Sequence, residues 1–491
     1  MFRAGPPSTA MLGSMKLPAR TLLALALLAT HASAEVRLPA VFADHMVLQR
    51  DTAVAVWGWA DPGEEVRIQS SWSDAALSTT AGEDGRWRTS LPTGPAGGPH
   101  TLTIEGTNRI ELTDVLLGEV WICSGQSNME WSIDRCHPLY TDEKAAANHP
   151  QLRLFDVQRA FSTTPREDCT GSWTPCTPES LGSFSAVAYF YGRELQRELG
   201  VPVGLIGTNW GGTVCESWTS EKSIARMPDF ALQLDVVRAE RALAPDSDVP
   251  RKVNHNSPTA LFNGMIAPLL PFGIRGAIWY QGESNRHRAA QYHALFPAMI
   301  RDWRARWGIG DFPFYFVQIA PYHYNGDNDH QPAWLREAQR LALRVPNTGM
   351  AVTMDIGNEL DIHPKNKHEV GRRLALWALA RTYDHPIPAW SGPLYSHHTV
   401  ENGALRLHFE HAGAGLWSPG RLEHFEIRGQ DGAWRPAQAR LEGATVVVSS
   451  PEVAAPAAAR YGFANAAETR LRNSAGLPAS SFSTEAWPEG R

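Results

Sequence analysis

One serine lies where a nucleophile would be expected. Val115 to Cys123 is a largely apolar run that predicts a buried strand, and the small polar segment Gly125–Asn128 follows it. Asn128 to Asp134 is expected to open a helix. Ser127 would therefore sit at a tight turn with its Oγ exposed among backbone N–H groups, as nucleophilic acyl transfer requires. The alternative role is an ordinary helix N-cap, because Ser is a favoured cap residue.

Acyl transfer also needs a base and an acid that orients it. His363 is the candidate base, because Pro364 fixes it in a polar loop ahead of a predicted helix. Asp361, two residues earlier, is the candidate acid that would accept from the Nδ1–H of His363. Asp355 and Glu359 are rivals for this acidic role, and His363 by itself could equally be a surface histidine.

Donors to an oxyanion are expected from three places. They are the backbone N–H of Ser127, a backbone N–H of Gly211 or Gly212, and the side-chain amide of Gln281. Glycine allows the backbone to approach a substrate closely. The alternatives are an ordinary turn for the glycines and a buried, backbone-bonded amide for the glutamine.

The same motifs supply residues that we expect to contact a substrate: Gln126, Asn128, Glu283 and Trp210. Aromatic residues near the motifs would either stack on sugar rings or pack in the core: Trp131, Trp210, Trp218, Tyr322 and Tyr324. The polar loop at 325–330 lacks the ligand spacing of a calcium loop, and the cysteines lack the Cys-x-x-Cys spacing of a zinc site, so no metal is expected. No cofactor is expected either.

Strands and helices alternate from residue 114 to residue 384. The predicted strands are Val115–Cys123, Leu152–Val157, Val203–Thr208, Ile274–Gln281, Phe314–Ile319 and Met350–Asp355, and the predicted helices are Ala186–Leu199, Ala289–Trp307 and Glu369–Thr382. This order predicts an α/β domain with a mostly parallel sheet covered on both faces. The candidate residues all follow strands, and the carboxyl ends of such strands carry the sites.

The flanking regions show only β signals. Residues 35–113 have short strands separated by turns, which predicts a small sandwich-like domain, and residues 385–491 predict a second β domain.

Residues 1–34 have the form of an export signal. Lys16 and Arg20 precede a Leu/Ala-rich run, and Ala32-Ser33-Ala34 is a typical cleavage site. Met15 is the better-placed start. We therefore expect a periplasmic or extracellular protein that is not inserted in a membrane after cleavage.

The charge and the cysteines limit the partners. The net charge of −6 becomes more negative on cleavage, since the leader contains three basic and no acidic residues, so nucleic acid is not an expected partner. The sequence leaves the oligomeric state open. Of five cysteines, Cys169 and Cys176 are the first candidates for a disulfide, and Cys123 is the expected free thiol.

Four segments taken together, residues 118–131, 210–218, 279–285 and 361–367, resemble the sialate O-acetylesterase family of SGNH (GDSL-type) hydrolases. Residues 38–68 and 476–480 are similar to the two ends of that family's chains. The resemblance implies a three-layer α/β/α, flavodoxin-like domain and a serine esterase that removes O-acetyl groups from carbohydrates. It makes Ser127 the nucleophile, His363 the base, and Gly212 and Gln281 helpers of the oxyanion.

The sequence departs from the wider SGNH pattern at three points. Gln126 replaces the usual Asp before the serine, Gln281 replaces an Asn, and Asp361 precedes His363 by two residues instead of three. The last departure leaves a Ser–His dyad open. Alternative functions are an acetyl xylan or other glycan esterase and a non-catalytic surface sugar-binding protein, while a lipase-type enzyme fits the two glutamines less well.

Overall fold

The computed structural model describes Met1, Gly5 and residues 35–243, 252–324 and 330–487. The predicted signal peptide lies outside the described residues except for Met1 and Gly5, and so does the loop 325–330 except for its last residue. None of the helices within the described ranges is both long enough and apolar enough to cross a bilayer.

The N-terminal region is built from strands. They are β1 (Val47–Gln49), β2 (Ala53–Trp59), β3 (Glu65–Ser70), β4 (Leu77–Thr80), β5 (Arg86–Pro92) and β6 (Gly97–Glu105). Strand β3 pairs antiparallel with both β4 and β6, and β2 pairs antiparallel with β5. Every second residue of β2 and β3 is buried, which is the pattern of strands with one face on a core.

One long strand, β7 (Arg109–Gly125), joins this region to the central sheet. Its first part pairs antiparallel with β6, and its last seven residues pair in parallel with the strand Val203–Asn209. The predicted boundary between residues 113 and 114 falls inside β7. The division of the chain into three domains stays a prediction.

The central sheet contains all six predicted strands. After β7 come β8 (His149–Asp156), β9 (Trp173–Cys176), β10 (Val203–Asn209), β11 (Gly276–Tyr280), β12 (Phe314–Val317) and β13 (Thr348–Ala351). Their order is β13-β12-β11-β7-β10-β8-β9, parallel throughout except for the edge strand β9. The predicted mixed α/β class is therefore confirmed. Strand β13 ends four residues earlier than predicted, and the following residues form the loop that carries His363.

The helices include the three predicted ones. They are α1 (Ser127–Glu130), α2 (Thr141–Ala145), α3 (Pro178–Leu181), α4 (Ala186–Leu199), α5 (Glu221–Ile224), α6 (Ala231–Leu243), α7 (Ala289–Trp307), α8 (Gln331–Leu341) and α9 (Lys367–Arg381). Alternate side chains of β11 enter different cores. Trp279 lies in the core that contains α7 residues, whereas Ile278 and Tyr280 lie in the core that contains α4 and α9 residues.

The C-terminal region is again β. Its strands are β14 (Leu394–Glu401), β15 (Ala404–Glu410), β16 (Leu416–Trp417), β17 (Phe425–Gly429), β18 (Trp434–Pro436), β19 (Gln438–Glu442), β20 (Thr445–Ser449), β21 (Pro456–Tyr461), β22 (Arg472–Asn473) and β23 (Phe482–Ser483). They form two four-stranded sheets and one two-stranded sheet around a core of their own. The fully buried side chain of Arg336 on α8 donates to the backbone oxygens of Gly462 and Ala464, which ties this region to the central one.

The predicted disulfide is wrong. Cys169 and Cys176 are both free thiols. Cys176 is fully buried at the end of β9 in the core shared with α4, whereas Cys169 packs against the other core. Their closeness in sequence does not bring the two side chains to the same side of the sheet. Cys123 is buried and free, as predicted.

Candidate active site

Ser127 is the first residue of α1 and lies two residues after the carboxyl end of β7. The turn before it requires glycine, since a Cβ on Gly125 would lie 2.2 Å from the carbonyl oxygen of Tyr280 on the neighbouring strand. The Oγ of Ser127 lies 2.9 Å from Nε2 of His363. The two residues are 236 positions apart in the chain and were paired from the sequence. For Ser127 to donate in this contact, His363 must carry its proton on Nδ1.

The loop that carries His363 is held on both sides of the histidine. The side-chain amide of Asn128 donates to the carbonyl oxygen of Ile362 at 3.0 Å. The hydroxyl of Tyr140 donates to the carbonyl oxygen of Lys365, also at 3.0 Å. The imidazole stacks on Trp131, with ring centroids 4.7 Å apart and planes inclined by 17°. Trp131 therefore packs against the histidine ring itself.

The surroundings of His363 favour its neutral form. Burial lowers the pKa of His363, and the positive charges of Lys367 and Arg135 lower it further. Asp361 and Glu130 act in the opposite direction but do not outweigh the others. A histidine with a lowered pKa is unprotonated at neutral pH, which is the form that a general base needs.

Asp361 lies next to the histidine but does not hold its ring. Its Oδ1 is 4.0 Å from Nδ1 of His363, which is too long for a hydrogen bond. The same oxygen accepts from the backbone N–H of His363 at 2.8 Å. The rival Asp355 is buried in ion pairs with Arg373 and Arg472, so it is not available to the histidine.

Two backbone N–H groups at or near the serine are candidate donors to the oxyanion. A Cβ on Gly211 would lie 3.3 Å from Cβ of Ser127, so the glycine pair is adjacent to the nucleophile. The N–H of Gly211 donates to the carboxylate of Glu130. Among the residues that the structure describes, the N–H groups of Ser127 and Gly212 have no acceptor. Gly212 has φ of +76°, a conformation that glycine adopts without strain.

The side chain of Gln281 does not make the contact predicted for it, which was a hydrogen bond to the oxyanion. Its side chain is fully buried, and its amide donates to the carbonyl oxygen of Thr213 at 3.1 Å and to Oδ1 of Asn285 at 2.6 Å. A primary amide has two N–H donors, and these two contacts use both. The structure therefore does not bring a free Gln281 donor to Ser127, and the buried-amide alternative describes this residue.

Three of the four predicted substrate contacts are buried in the framework of the site. The side-chain oxygen of Gln126 accepts from the backbone N–H groups of Gly282 and Ser284, at 3.2 and 3.3 Å. Asn128 is fully buried and donates to Oε1 of Glu283 at 2.7 Å. These contacts hold the loops after β7, β11 and β13 together and leave no surface for a substrate.

Lys367 is the residue that the sequence analysis missed. Its side chain is 1% exposed, and its ammonium group donates to Oδ1 of Asn128. Burial lowers the pKa of Lys367 to about 8. A lysine at the first position of a helix is electrostatically unfavourable, and its place four residues after His363 was the available signal. Lys367, Asn128 and Glu283 form one buried chain of polar contacts below the Ser127–His363 pair.

The remaining aromatic candidates divide between surface and core. Trp210 is half-buried and stacks on His255, with ring centroids 4.9 Å apart. Tyr322 is half-buried, whereas Trp218 and Tyr324 are buried. Trp210 therefore remains the candidate for stacking on a sugar. Within the described ranges, no three His, Cys, Asp or Glu side chains are grouped so that they could hold a metal ion.

Comparison with known proteins shows the family of this chain. Residues 117–380 match the family described as carbohydrate esterase, sialic acid-specific acetylesterase. The chain is 30% identical to the sialate O-acetylesterase of Mus musculus, over 79% of this chain and 82% of the mouse protein. It is 33% identical to the sialate O-acetylesterase of Homo sapiens, over 71% of each chain.

A solved structure has the same fold. The crystal structure of a carbohydrate acetylesterase from Xanthomonas citri is 37% identical in sequence and aligns with a TM-score of 0.82, covering 92% of this chain and 100% of that one. The matched family segment includes Ser127, Gly212 and His363. The chain belongs to the carbohydrate esterase family of sialic acid-specific acetylesterases and is an enzyme of the carboxylic ester hydrolase class.

Proposed function

We propose that this enzyme removes O-acetyl groups from sialic acid through an acetyl-serine intermediate, with Ser127 as nucleophile and His363 as general base. The observation that carries the proposal is the 2.9 Å contact between Ser127 Oγ and His363 Nε2 at the carboxyl edge of the central sheet. This distance lies within the range in which a base can take the proton of a hydroxyl.

The reaction then has two halves. His363 Nε2 takes the hydroxyl proton while Ser127 Oγ attacks the acetyl carbonyl carbon, and the tetrahedral oxyanion accepts from the N–H groups of Ser127 and Gly212. The bond between the acetyl carbon and the sugar oxygen breaks, and the imidazolium of His363 donates its proton to the departing sugar oxygen. A water molecule, deprotonated by His363, attacks the acetyl-serine, and acetate leaves as Ser127 regains its proton.

The supporting residues take the roles that their contacts suggest. Gln281 fixes the loop after β11 and donates nothing to the oxyanion in this mechanism. Asp361 accepts from the backbone N–H of His363 and not from its ring. Ser127 and His363 therefore function mainly as a dyad. Lys367 keeps His363 in its basic form, because a buried positive charge nearby disfavours the imidazolium.

An acetylated plant-wall glycan such as xylan is the second candidate substrate. The observation that favours it is that the two arginines in the lining of the cavity next to Ser127, Arg135 and Arg159, are both paired with Glu130. Sialic acid differs from a neutral sugar in its carboxylate, which an arginine would recognise. A non-catalytic sugar-binding role has no support, because the chain belongs to an enzyme family.

Two broader predictions accompany this function. We propose that the central region has the three-layer α/β/α arrangement of SGNH hydrolases, which is supported by the distribution of β11 side chains between two helix-lined cores. We also propose that the enzyme is exported after removal of residues 1–34, because this segment has the basic start, apolar run and cleavage pattern of an export signal.

Acetate release by the purified mature chain tests the function. The substrates are O-acetylated sialic acid and acetylated xylan in parallel, with Ser127→Ala as the control. We expect serine-dependent release from sialic acid, and a loss of at least about 10⁴-fold in the variant. Release from xylan alone would select the second substrate. Full activity of Ser127→Ala would refute the assigned nucleophile.

A further inference from the structure

A cavity begins beside the nucleophile. It has a volume of about 500 Å³ and its lining includes Glu130, Arg135, Asp156, Gln158 and Arg159. Glu130 is three residues past Ser127, and its carboxylate also accepts from the N–H of Gly211. This cavity is therefore next to the position where the acetyl group would react.

A second cavity, of about 330 Å³, adjoins the first. The two share Gln158 and Arg159 in their linings. The second cavity is also lined by Trp210, Phe161 and Arg166. The guanidinium of Arg159 lies over the Trp210 ring, 5.7 Å from its centroid. The half-buried Trp210 thus belongs to a surface that leads away from the nucleophile.

A third cavity continues the row into the N-terminal region. It has a volume of about 480 Å³ and shares Arg166 with the second. Strand β2 contributes Trp57 and Trp59, both half-buried, and the lining also includes the ion pair of Arg86 with Glu167. The three cavities thus form a row that extends from Glu130, three residues past the nucleophile, to the N-terminal sheet.

A tryptophan in the wall of the third cavity has an unpaired donor. Trp87 lines this cavity and is 2% exposed, and among the described residues its indole N–H has no acceptor. The indole ring lies against Gly58, where a Cβ would be 2.9 Å from it. A buried N–H without a partner is costly, so this wall of the cavity retains an unsatisfied polar group.

The residues that line the three cavities indicate what kind of ligand they would hold. Indole faces pack against the C–H faces of sugar rings, and charged side chains with several donors or acceptors bind hydroxyl groups. One small ligand typically fills a pocket of about 300–1,000 Å³, and the three adjoining cavities together exceed that range. A single acetylated sugar would leave most of the row empty.

We propose that these cavities form an extended cleft that binds an acetylated glycan chain of several sugar residues, with the acetylated residue at Ser127 and the rest of the chain reaching Trp59. This proposal rests on the proposed function, because it adds subsites to the same catalytic serine. It assigns the N-terminal β region a part in substrate recognition.

The test compares short and long substrates in two series. One series contains free O-acetylated sialic acid and the same sugar at the end of a sialyllactose trisaccharide. The other contains acetylated xylose and acetylated xylohexaose. In the series that is hydrolysed, we expect kcat/KM for the longer substrate to exceed that for the shorter one by about tenfold or more, since the tryptophans of the cleft would bind the additional sugar residues.

Trp59→Ala should reduce this long-to-short ratio about fivefold or more. Trp72→Ala is the matched control, because Trp72 is a half-buried tryptophan of the same β region that lines none of the three cavities and donates to the carbonyl oxygen of Pro92. We expect Trp72→Ala to keep the wild-type ratio. Thermal unfolding of both variants shows whether they are folded.

A second measurement does not depend on the tryptophan variants. Calorimetric titration of Ser127→Ala with the same substrates should give a tighter Kd for the longer member of the series. Equal kcat/KM and equal Kd for short and long substrates, with acetate still released, would overturn the cleft and leave the proposed function intact. No acetate release from any of the four carbohydrates would overturn the proposed function and the cleft with it.

Discussion

Two buried carboxylates at opposite ends of the central sheet have very different surroundings. Glu119, near the amino end, is fully buried and accepts from Arg50, Arg275, Gln49 and Tyr383 at 2.6 to 3.1 Å. Glu283, just after the carboxyl end of β11, accepts from Asn128, and among the described residues its second oxygen has no partner. Burial raises the pKa of both, but at Glu119 the arginines outweigh it and the net pKa is lowered.

The two ends of the sheet thus use buried charge for different purposes, the amino end for stability and the carboxyl end for function. Where charge only holds strands together, the fold supplies a complete set of partners. Next to Ser127 and His363, charge is buried with few partners, as in the polar chain from Lys367 through Asn128 to Glu283. Buried groups with incomplete pairing are costly, and they are found where a preorganised electrostatic environment serves a reaction.

Removing the charge at the amino end should have the largest effect on stability. Glu119→Gln leaves Arg50 and Arg275 without their carboxylate, and we expect a loss of about 3 kcal/mol in the free energy of unfolding. Denaturant unfolding measures it. Glu111→Gln is the matched control on the same strand, because Glu111 is exposed and paired with Arg109, and such a change usually costs less than about 0.5 kcal/mol. Equal losses would contradict the contrast.

The lowered pKa of Glu119 also predicts a pH dependence. Its contribution to stability is complete above the pKa of an unfolded glutamate and is lost as the pH falls through the lower folded pKa. We therefore expect the difference between wild type and Glu119→Gln to shrink on acidification. A difference that grew at low pH would contradict this.

At the carboxyl end, Lys367→Met should change the pH profile. Removing the positive charge raises the pKa of His363 toward its ordinary value, so the acidic limb of kcat/KM should move to higher pH. The loss of rate should be small at neutral pH and should approach about tenfold on the acidic limb for a shift of one pH unit. Lys365→Met makes the same charge change at an exposed residue of the same loop, and we expect its limb to stay in place. A fall in rate without a shift of the limb would make Lys367 purely structural.

Asp361→Asn should have a smaller effect on catalysis. The 4.0 Å separation from Nδ1 of His363 leads us to expect a loss of less than about tenfold in kcat, whereas a working triad aspartate is worth about 10⁴-fold. Asparagine keeps an oxygen acceptor for the backbone N–H of His363. A loss near the larger value would show that the acid closes onto the histidine during turnover.

The smallest change is expected from Glu283→Gln. Glutamine retains an oxygen acceptor for Asn128 and removes a poorly paired charge, so the stability should change by less than about 1 kcal/mol. Because the folded pKa of Glu283 is raised, its stabilising effect is complete below the unfolded pKa and is lost as the pH rises through the folded value. The free energy of unfolding of Glu283→Gln, relative to wild type, should therefore increase as the pH rises. For Glu119→Gln the same difference should become less favourable as the pH rises.

The sequence predicted what depends on local pattern. The apolar run ending at Ser127, the alternation of strands and helices, and the proximity of Ser127 to His363 all follow from segments with specific spacing. Tertiary contacts decided the rest. Whether Gln281 and Asn128 face a substrate depends on which carbonyl groups lie beside them, and no spacing encodes that.

The errors have the same physical origin. The Cys169–Cys176 pairing failed because β9 turns back along β8 and carries Cys176 into a separate core. Asp361 is placed correctly beside His363, but the loop directs its carboxylate to the backbone. Lys367 was overlooked because a charged residue at a helix start is usually assumed to be solvated.

The continuity of β7 has an evolutionary consequence. Many enzymes acquire accessory β modules through linkers and can exchange or lose them. Here the same seventeen-residue strand that pairs with β6 ends two residues before the nucleophile. A gene rearrangement that replaced the N-terminal sheet would therefore have to preserve the register of a strand reaching the catalytic serine, so this sheet and the esterase core are expected to be inherited as one unit.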